Sequence, residues 1–222
     1  MCGRISTADL SATTLSEYFG LMQLASFEPR YNIAPSLPVP AIRALDGGRV
    51  LDLLHWGLIP HWAKDREIGR HTFNARLETL SEKPSFREAI RKRRCIVPVS
   101  GFYEWQKRGD AKQPYYIKRS DAQPLALAGL WENWTDPSDG ELVESCSIVT
   151  MPAVAPMLTI HHRMPAVLEP EHFALWLDPA TREPHLLEDV LKAGEHVLTL
   201  YPVSPYVSNA AHDGAKCIEP LL

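Results

Sequence analysis

The stretch CIVPVSGFYEWQKRGDAKQPYYIK, residues 95–118, decides the fold. Three short runs, Cys95–Val99, Phe102–Gln106 and Pro114–Lys118, are rich in β-branched and aromatic side chains and read as strands. Gly109-Asp110 supplies the turn chemistry between the second and third. Working outward, Ala126–Trp131 and Glu144–Thr150 flank a Ser138-Asp139-Gly140 turn, and Val39–Leu45 and Arg49–Trp56 flank Asp46-Gly47-Gly48. Val197–Val203 reads as a closing strand. The helical patterns are short and set apart. They are Thr13–Phe19 ended by Gly20, Pro84 to about Arg93 carried by Phe86 and Ile90, Glu171–Leu177, and Leu186–Ala193. Strands in hairpins with separate helices indicate an α+β fold on mostly antiparallel sheet, and no linker divides residues 1–222 into more than a single domain.

Composition narrows the function classes. An apolar fraction of 45% suits a sizeable core, and the longest apolar runs are too broken to span a membrane. The start MCGRISTADL lacks an apolar run and carries Arg4 and Asp9, so no secretory signal is expected. Cysteines at 2, 95, 146 and 217 form no close pair, which argues against a zinc site or a disulfide scaffold and for a reducing, cytoplasmic setting. Net charge is −4, so any nucleic-acid binding must come from a local basic surface. Lys83, Arg87, Arg91, Lys92, Arg93 and Arg94 form the densest basic run, and a solvated helix face explains it equally well.

Several clusters could carry chemistry. Cys2 becomes the first residue once the initiator methionine is removed, as small second residues allow, and then bears an amine and a thiol on adjacent carbons. With the amine near pKa ~7.7–8.0 and the thiol near ~8.5, both nucleophiles are accessible at neutral pH. Such a 1,2-aminothiol can attack an amide or close onto an aldehyde as a thiazolidine; alternatively, Cys2 is a small buried hydrophobe. Asn74 and Arg76 share one face of an extended segment, suited to sugar or phosphate oxygens or simply the wet face of an edge strand. In Gly101–Gln106, alternation sends Tyr103 and Trp105 to one face and Glu104 to the other beside Phe102, where apolar neighbours would favour a proton-shuttling carboxyl; a surface glutamate beside core aromatics, or one paired with an arginine, is the alternative. His161-His162 lacks helical metal spacing, and one of the two imidazoles could serve as acid or base. Trp56 reads as core, whereas Trp62 is either a stacking platform for an unpaired base or loop packing.

In order along the chain, these segments resemble the SRAP (SOS response-associated peptidase) family. The resemblance rests on Met1-Cys2-Gly3-Arg4, Arg30-Tyr31-Asn32-Ile33-Ala34-Pro35, Trp56-Gly57-Leu58-Ile59-Pro60 and Asn74–Thr79. Ser85-Phe86-Arg87, Gly101–Trp105, Ile160-His161 with Arg163 and Pro165, and Val203-Ser204 with Val207 and Asn209 complete it. It implies a β-sheet or barrel with short flanking helices, a monomer without cofactor, and a bacterial cytosolic or nucleoid location. It also implies binding of single-stranded DNA and a covalent thiazolidine between Cys2 and the ring-opened aldehyde of an abasic site, with AP-lyase-like strand cleavage and self-processing that exposes Cys2. By the same resemblance Asn74 holds the sugar, Glu104 shuttles protons, and His161 assists ring opening and reversal. Arg4, Arg76 and Arg163 would clamp phosphates, while Asn32, Pro35, Trp62 and Thr150 shape the strand's path. The chain departs from the family at Pro205-Tyr206, at Ser208, where glycine is common, and at Ala210-Ala211-His212, so DNA contacts there are open. No role falls to His162.

Two other classes share part of this pattern. A glutaminase-type amidohydrolase with an N-terminal cysteine also begins Met-Cys-Gly, but the later motifs have no place in it. A non-catalytic single-stranded DNA-binding module would bind without covalent capture.

Overall fold

The computed structural model describes residues 2–45, 47–192 and 198–221. Its strands are β1 (Ile5–Ser6), β2 (Leu21–Leu24), β3 (Pro38–Leu45), β4 (Gly48–Trp56), β5 (Asn74–Arg76), β6 (Arg94–Val99) and β7 (Gly101–Arg108). They continue with β8 (Ala111–Arg119), β9 (Leu125–Thr135), β10 (Leu142–Pro152), β11 (Arg163–Pro165), β12 (Val167–Leu168) and β13 (Leu198–Pro202). Four helices, α1 (Ala12–Phe19), α2 (Ala89–Lys92), α3 (Phe173–Leu177) and α4 (Pro184–Lys192), lie outside the sheets.

The larger sheet closes on itself. β4 pairs with β3, β3 with β6, β6 with β9, β9 with β10, and β10 returns to β4, a five-stranded barrel. The last pairing is parallel, as are those of β10 with β5 and β2 with β4; the other ring pairings are antiparallel. Closure removes open edges and lets β6, Arg94–Val99, be buried at every residue. A second sheet runs β1-β7-β8-β13. Phe102 of β7 points into the main core, while Tyr103 packs with Tyr116, Val203 and Val207 in a smaller cluster.

The local signals read from sequence act as physics requires. Ser11 Oγ accepts from Thr14 N at 3.0 Å to cap α1, and Gly20 ends it at φ 62°. Leu15 and Phe19 are buried, and Phe19 stacks on Phe173 at 5.2 Å. Gly109, at φ 60°, makes the tight turn of the β7–β8 hairpin, a conformation that costs a side chain strain. The expected helix from Pro84 is shorter: chain turns lead to α2 at Ala89, although Phe86 and Ile90 are buried as their spacing requires. Pro84 has no N–H to extend a helical ladder backward, and Lys83 O accepts from both Phe86 N and Arg87 N in a tightened turn. Asp46 of the predicted first turn, Ala193 of the last helical pattern and Val197 of the closing strand lie outside the described residues, as does Met1.

Candidate active site

The chain's first described residue is carried into the molecule by two backbone partners. Ile5 pairs with Phe102 on one side and with Ile33 on the other, and Tyr103 N donates to Arg4 O at 3.0 Å. This leaves Cys2 with no exposed surface. Its carbonyl accepts from Asn74 Nδ2 at 2.7 Å. Asn74 is set there because β5 runs parallel to β10, pairing Asn74 with Ile148 and Arg76 with Thr150. Asn74 Oδ1 is buried and accepts no hydrogen bond, so one lone-pair group of the amide remains available to a bound oxygen-bearing ligand.

Glu104 lies on the β7 face that the alternation assigns to it, opposite Tyr103 and Trp105, and is only 5% exposed. That placement removes the surface-glutamate alternative. Burial drives the Cys2 thiol up to about 12, with the Glu104 carboxylate adding to the rise. In the chain that begins at Met1 the sulfur is stripped of water and loses the solvation that stabilises a thiolate, which moves the thiol away from the ordinary value expected for a mature amino-terminal cysteine. Cys2 is held as a thiol.

His161 follows a short 3-10 turn, Met157–Thr159, and precedes β11. Its Nδ1 lies 3.0 Å from Arg163 N and 3.2 Å from Arg163 O, so the backbone of Arg163 fixes the ring. Burial lowers its pKa below the ordinary value, and nearby Glu104 opposes the shift. The imidazole is neutral at pH 7. His162 packs on it with ring centroids 4.2 Å apart. Glu104 and His161 share a cavity of about 690 Å³ with Trp105, Lys107, Lys112 and Ser208.

The remaining candidates occupy three kinds of position. Arg4 is half-buried; its Nη1 donates to Asn32 Oδ1 and Val207 O, both at 2.8 Å, and its guanidinium lies 5.8 Å from the Trp105 ring centroid. Asn32 is fully buried and its Nδ2 faces the carbonyls of Val207, Asn209 and His212, so it can shape a strand's path only by fixing that segment. Thr150 is likewise fully buried, and both its carbonyl and its hydroxyl accept from Arg163 Nη2. Arg163 is also paired bidentately with Glu78, whose carboxyl it holds below the usual range. Arg76 and Trp62 stand exposed, Pro35 is half-buried at the turn before β3, and none of the three lines the Glu104–His161 cavity.

The basic run of residues 83–94 separates in the fold. Arg94 is buried and donates to the carbonyls of Ile90, Trp176 and Asp178, tying β6 to α3; its pKa is lowered to about 10 by that burial. Arg93 pairs with Glu132 at 2.6 Å and Lys92 with Glu88 at 3.5 Å. Structural anchoring and local pairing account for this end of the run.

Sequence reasoning missed Lys107 and Lys112 as site residues, although the Gly109-Asp110 turn fixes the register that opposes them. It also missed the Glu78–Arg163 pair, for which residues so distant in sequence give no local signal.

A family model described as SOS response associated peptidase (SRAP) matches residues 1–210. The chain is 39% identical over 225 residues to a Bacillus subtilis protein named Abasic site processing protein YoqW, with 99% of each chain covered. It is 31% identical to a Gallus gallus protein named Abasic site processing protein HMCES, covering 88% of this chain and 67% of that one. A crystal structure of a protein from Bacteroides thetaiotaomicron superposes with a TM-score of 0.87 at 29% identity, over all of both chains.

Proposed function

The chain belongs to the SRAP family, and on that premise we propose that it captures abasic sites in single-stranded DNA through Cys2. The observation that carries this reading is the convergence of Asn74 on the Cys2 carbonyl, with Glu104 acting electrostatically on both Cys2 and His161. Relatives named for abasic-site processing support the choice of substrate.

The chemistry follows from the groups present. Removal of Met1 frees the amine on the Cys2 α-carbon. An abasic deoxyribose presents its aldehyde only when the ring is open, and the neutral His161 imidazole assists that opening as a general acid–base group. The amine adds to the aldehyde carbon and water leaves, giving an imine. The sulfur then adds to the same carbon while its proton passes to the nitrogen by way of Glu104, closing a thiazolidine. The sum is aldehyde plus aminothiol giving thiazolidine plus water. In this reading Asn74 Oδ1, buried and without a donor, accepts from a sugar hydroxyl. Arg76 is exposed for phosphate contact, whereas Arg163 must exchange or share Glu78 to reach a phosphate. Phosphate contacts make binding sequence-tolerant and salt-sensitive. Strand cleavage by elimination from the imine would compete whenever sulfur closure is slow.

The test is incubation of the mature protein with a single-stranded oligonucleotide containing one abasic site, followed by denaturing electrophoresis and mass spectrometry. A heat-stable adduct is expected with wild type and none with Cys2→Ala. Capture by Cys2→Ala, or at full rate by protein whose amine is acetylated, would exclude the mechanism.

A further inference from the structure

The cavity lined by Glu104 and His161 has a further wall that the capture chemistry leaves unused. That wall is the end of the β7–β8 hairpin, where Lys107 and Lys112 are directly opposed in register and both line the cavity. Like charges facing each other across a strand pair are destabilising, and Cα atoms so opposed lie only about 4.5–5.5 Å apart. Both lysines are exposed, and neither forms an ion pair with a described carboxylate. Neighbouring Arg108, by contrast, is held by Tyr115 Oη at 2.8 Å and Gln106 Oε1 at 2.7 Å. An unneutralised pair of cations at the mouth of a cavity is a site for a multiply coordinated anion.

Another part of the cavity lining is also fixed. Trp105 is half-buried, and its Nε1 donates to Ser208 Oγ at 3.1 Å, so the indole is held in one plane. Ser208 is one of the positions at which the chain departs from the family pattern, and here it supplies that acceptor. A cavity of about 690 Å³ lies within the ~300–1,000 Å³ of ligand-sized sites and leaves room beyond a single baseless sugar.

We propose that Lys107 and Lys112 jointly clamp one backbone phosphate of the nucleotide adjoining the lesion, across the Trp105 surface. The inference rests on the reading that a DNA strand occupies this cavity, and it adds which hairpin holds the strand on one side of the lesion. The two ammonium groups touch the flanking nucleotide and not the reacting atoms, so they are positioning residues.

The probe is a fluorescent single-stranded oligonucleotide with a tetrahydrofuran residue, which binds as an abasic site but has no aldehyde. Binding is titrated against wild type and K107Q/K112Q over a range of salt. Each phosphate on either side of the lesion is then replaced in turn by an uncharged methylphosphonate. The double variant should bind about tenfold more weakly at low salt, with a salt slope shallower by roughly 0.7 for each phosphate it no longer neutralises. In wild type one flanking methylphosphonate should cost a similar factor, and in K107Q/K112Q the same substitution should cost nothing, since both changes abolish the same interaction. Binding of the variant within twofold of wild type, or equal sensitivity to every methylphosphonate in both proteins, overturns the clamp. The lysines are exposed beside the hairpin turn, so their replacement does not threaten folding. Loss of covalent capture with tetrahydrofuran binding intact would sink the proposed function and leave the clamp standing.

Discussion

Replacing Asn32 tests how the amino-terminal segment is held in place. Asn32 Nδ2 faces His212 O at 2.7 Å, Asn209 O at 3.1 Å and Val207 O at 3.2 Å, while its Oδ1 accepts from Arg4 Nη1 at 2.8 Å. An amide nitrogen has only two hydrogens, so two full bonds are shared among three carbonyls. Val207 O keeps a second donor in Arg4 Nη1 when Asn32 is removed. Asn32→Ala therefore leaves two carbonyls short of their main partner, and at about 1–1.5 kcal/mol for each bond the loss is about 2–3 kcal/mol. For a chain of 222 residues that corresponds to a fall in Tm of about 4–12 °C. Asn32→Asp discriminates shape from hydrogen bonding. The carboxylate is isosteric and can still accept from Arg4, but it sets a negative oxygen against three carbonyl oxygens in a site with no exposed surface. It should destabilise at least as much as alanine. The measurement is urea unfolding of wild type and both variants, with hydrogen exchange of residues 203–221 as the local readout. A loss under about 0.5 kcal/mol for alanine, within the range of an inconsequential substitution, or Asp tolerated better than Ala, would refute the reasoning.

Glu104→Gln keeps an oxygen for the Trp105 N–H that Glu104 Oε1 now accepts at 3.3 Å but removes the proton carrier, so single-turnover capture should slow by about 10²–10⁴-fold at unchanged Tm; a change under threefold would remove Glu104 from the mechanism. Because burial lowers the His161 pKa, the imidazole is neutral above its ordinary value near 6.5 and gains a proton only as pH falls below it. The His161-dependent acid limb of the capture rate should accordingly lie below about pH 6.5 and vanish in His161→Asn, and a limb centred above pH 7 would contradict this. Gly101→Ala would drive a Cβ into the Tyr116 ring and to 2.6 Å from Ile117 O, a backbone atom fixed in the β7–β8 ladder. Overpacking of this kind costs about 1–3 kcal/mol, and because Gly101 pairs with Ser6 it should also lower capture; wild-type stability by urea unfolding would count against so close an approach of β7 and β8.

The strands were legible wherever period and turn chemistry were both local. Residues 39–45, 49–56, 95–99, 102–106, 114–118, 126–131 and 144–150 all fall within observed strands, since each hairpin carries its own glycine or aspartate turn. The barrel's closure was not legible from local pattern. It depends on β10 pairing in parallel with β4 and β5, and Cys146 against Trp56 or Ile148 against Asn74 leaves no mark on either segment alone. The two-residue strands β1 and β12 are too short to show a period, yet β1 places Cys2. Among site residues, Glu104 was readable because alternation fixes its face. Burial of Cys2 was one of two readings the sequence left open, and burial of Asn32 and Thr150 was not readable, because each is covered by segments far away in the chain. The Arg163–Glu78 pair illustrates the same limit: a cation assigned to phosphate from its motif meets a carboxylate that only the fold brings near.

The burial of Cys2 orders the proposed reaction. Burial and the Glu104 carboxylate both push the thiol up, which disfavours a thiolate as the first nucleophile in the proposed reaction. The amine on the same α-carbon then adds to the aldehyde first. Once the imine forms, its carbon sits one short chain from the sulfur, and attack becomes intramolecular, an advantage that can replace thiolate character. The sulfur still has to lose its proton as it bonds, and the carboxylate whose charge is felt at Cys2 is that of Glu104. The same carboxylate that holds the thiol protonated at rest can therefore receive its proton during closure. Burial and Glu104 together keep a reactive sulfur unreactive toward oxidants and stray electrophiles until a carbonyl is already bound beside it. A surface cysteine with an ordinary pKa would lose that selectivity, which gives a physical reason for placing the proposed nucleophile between β7 and Asn74 and not on an exposed terminus.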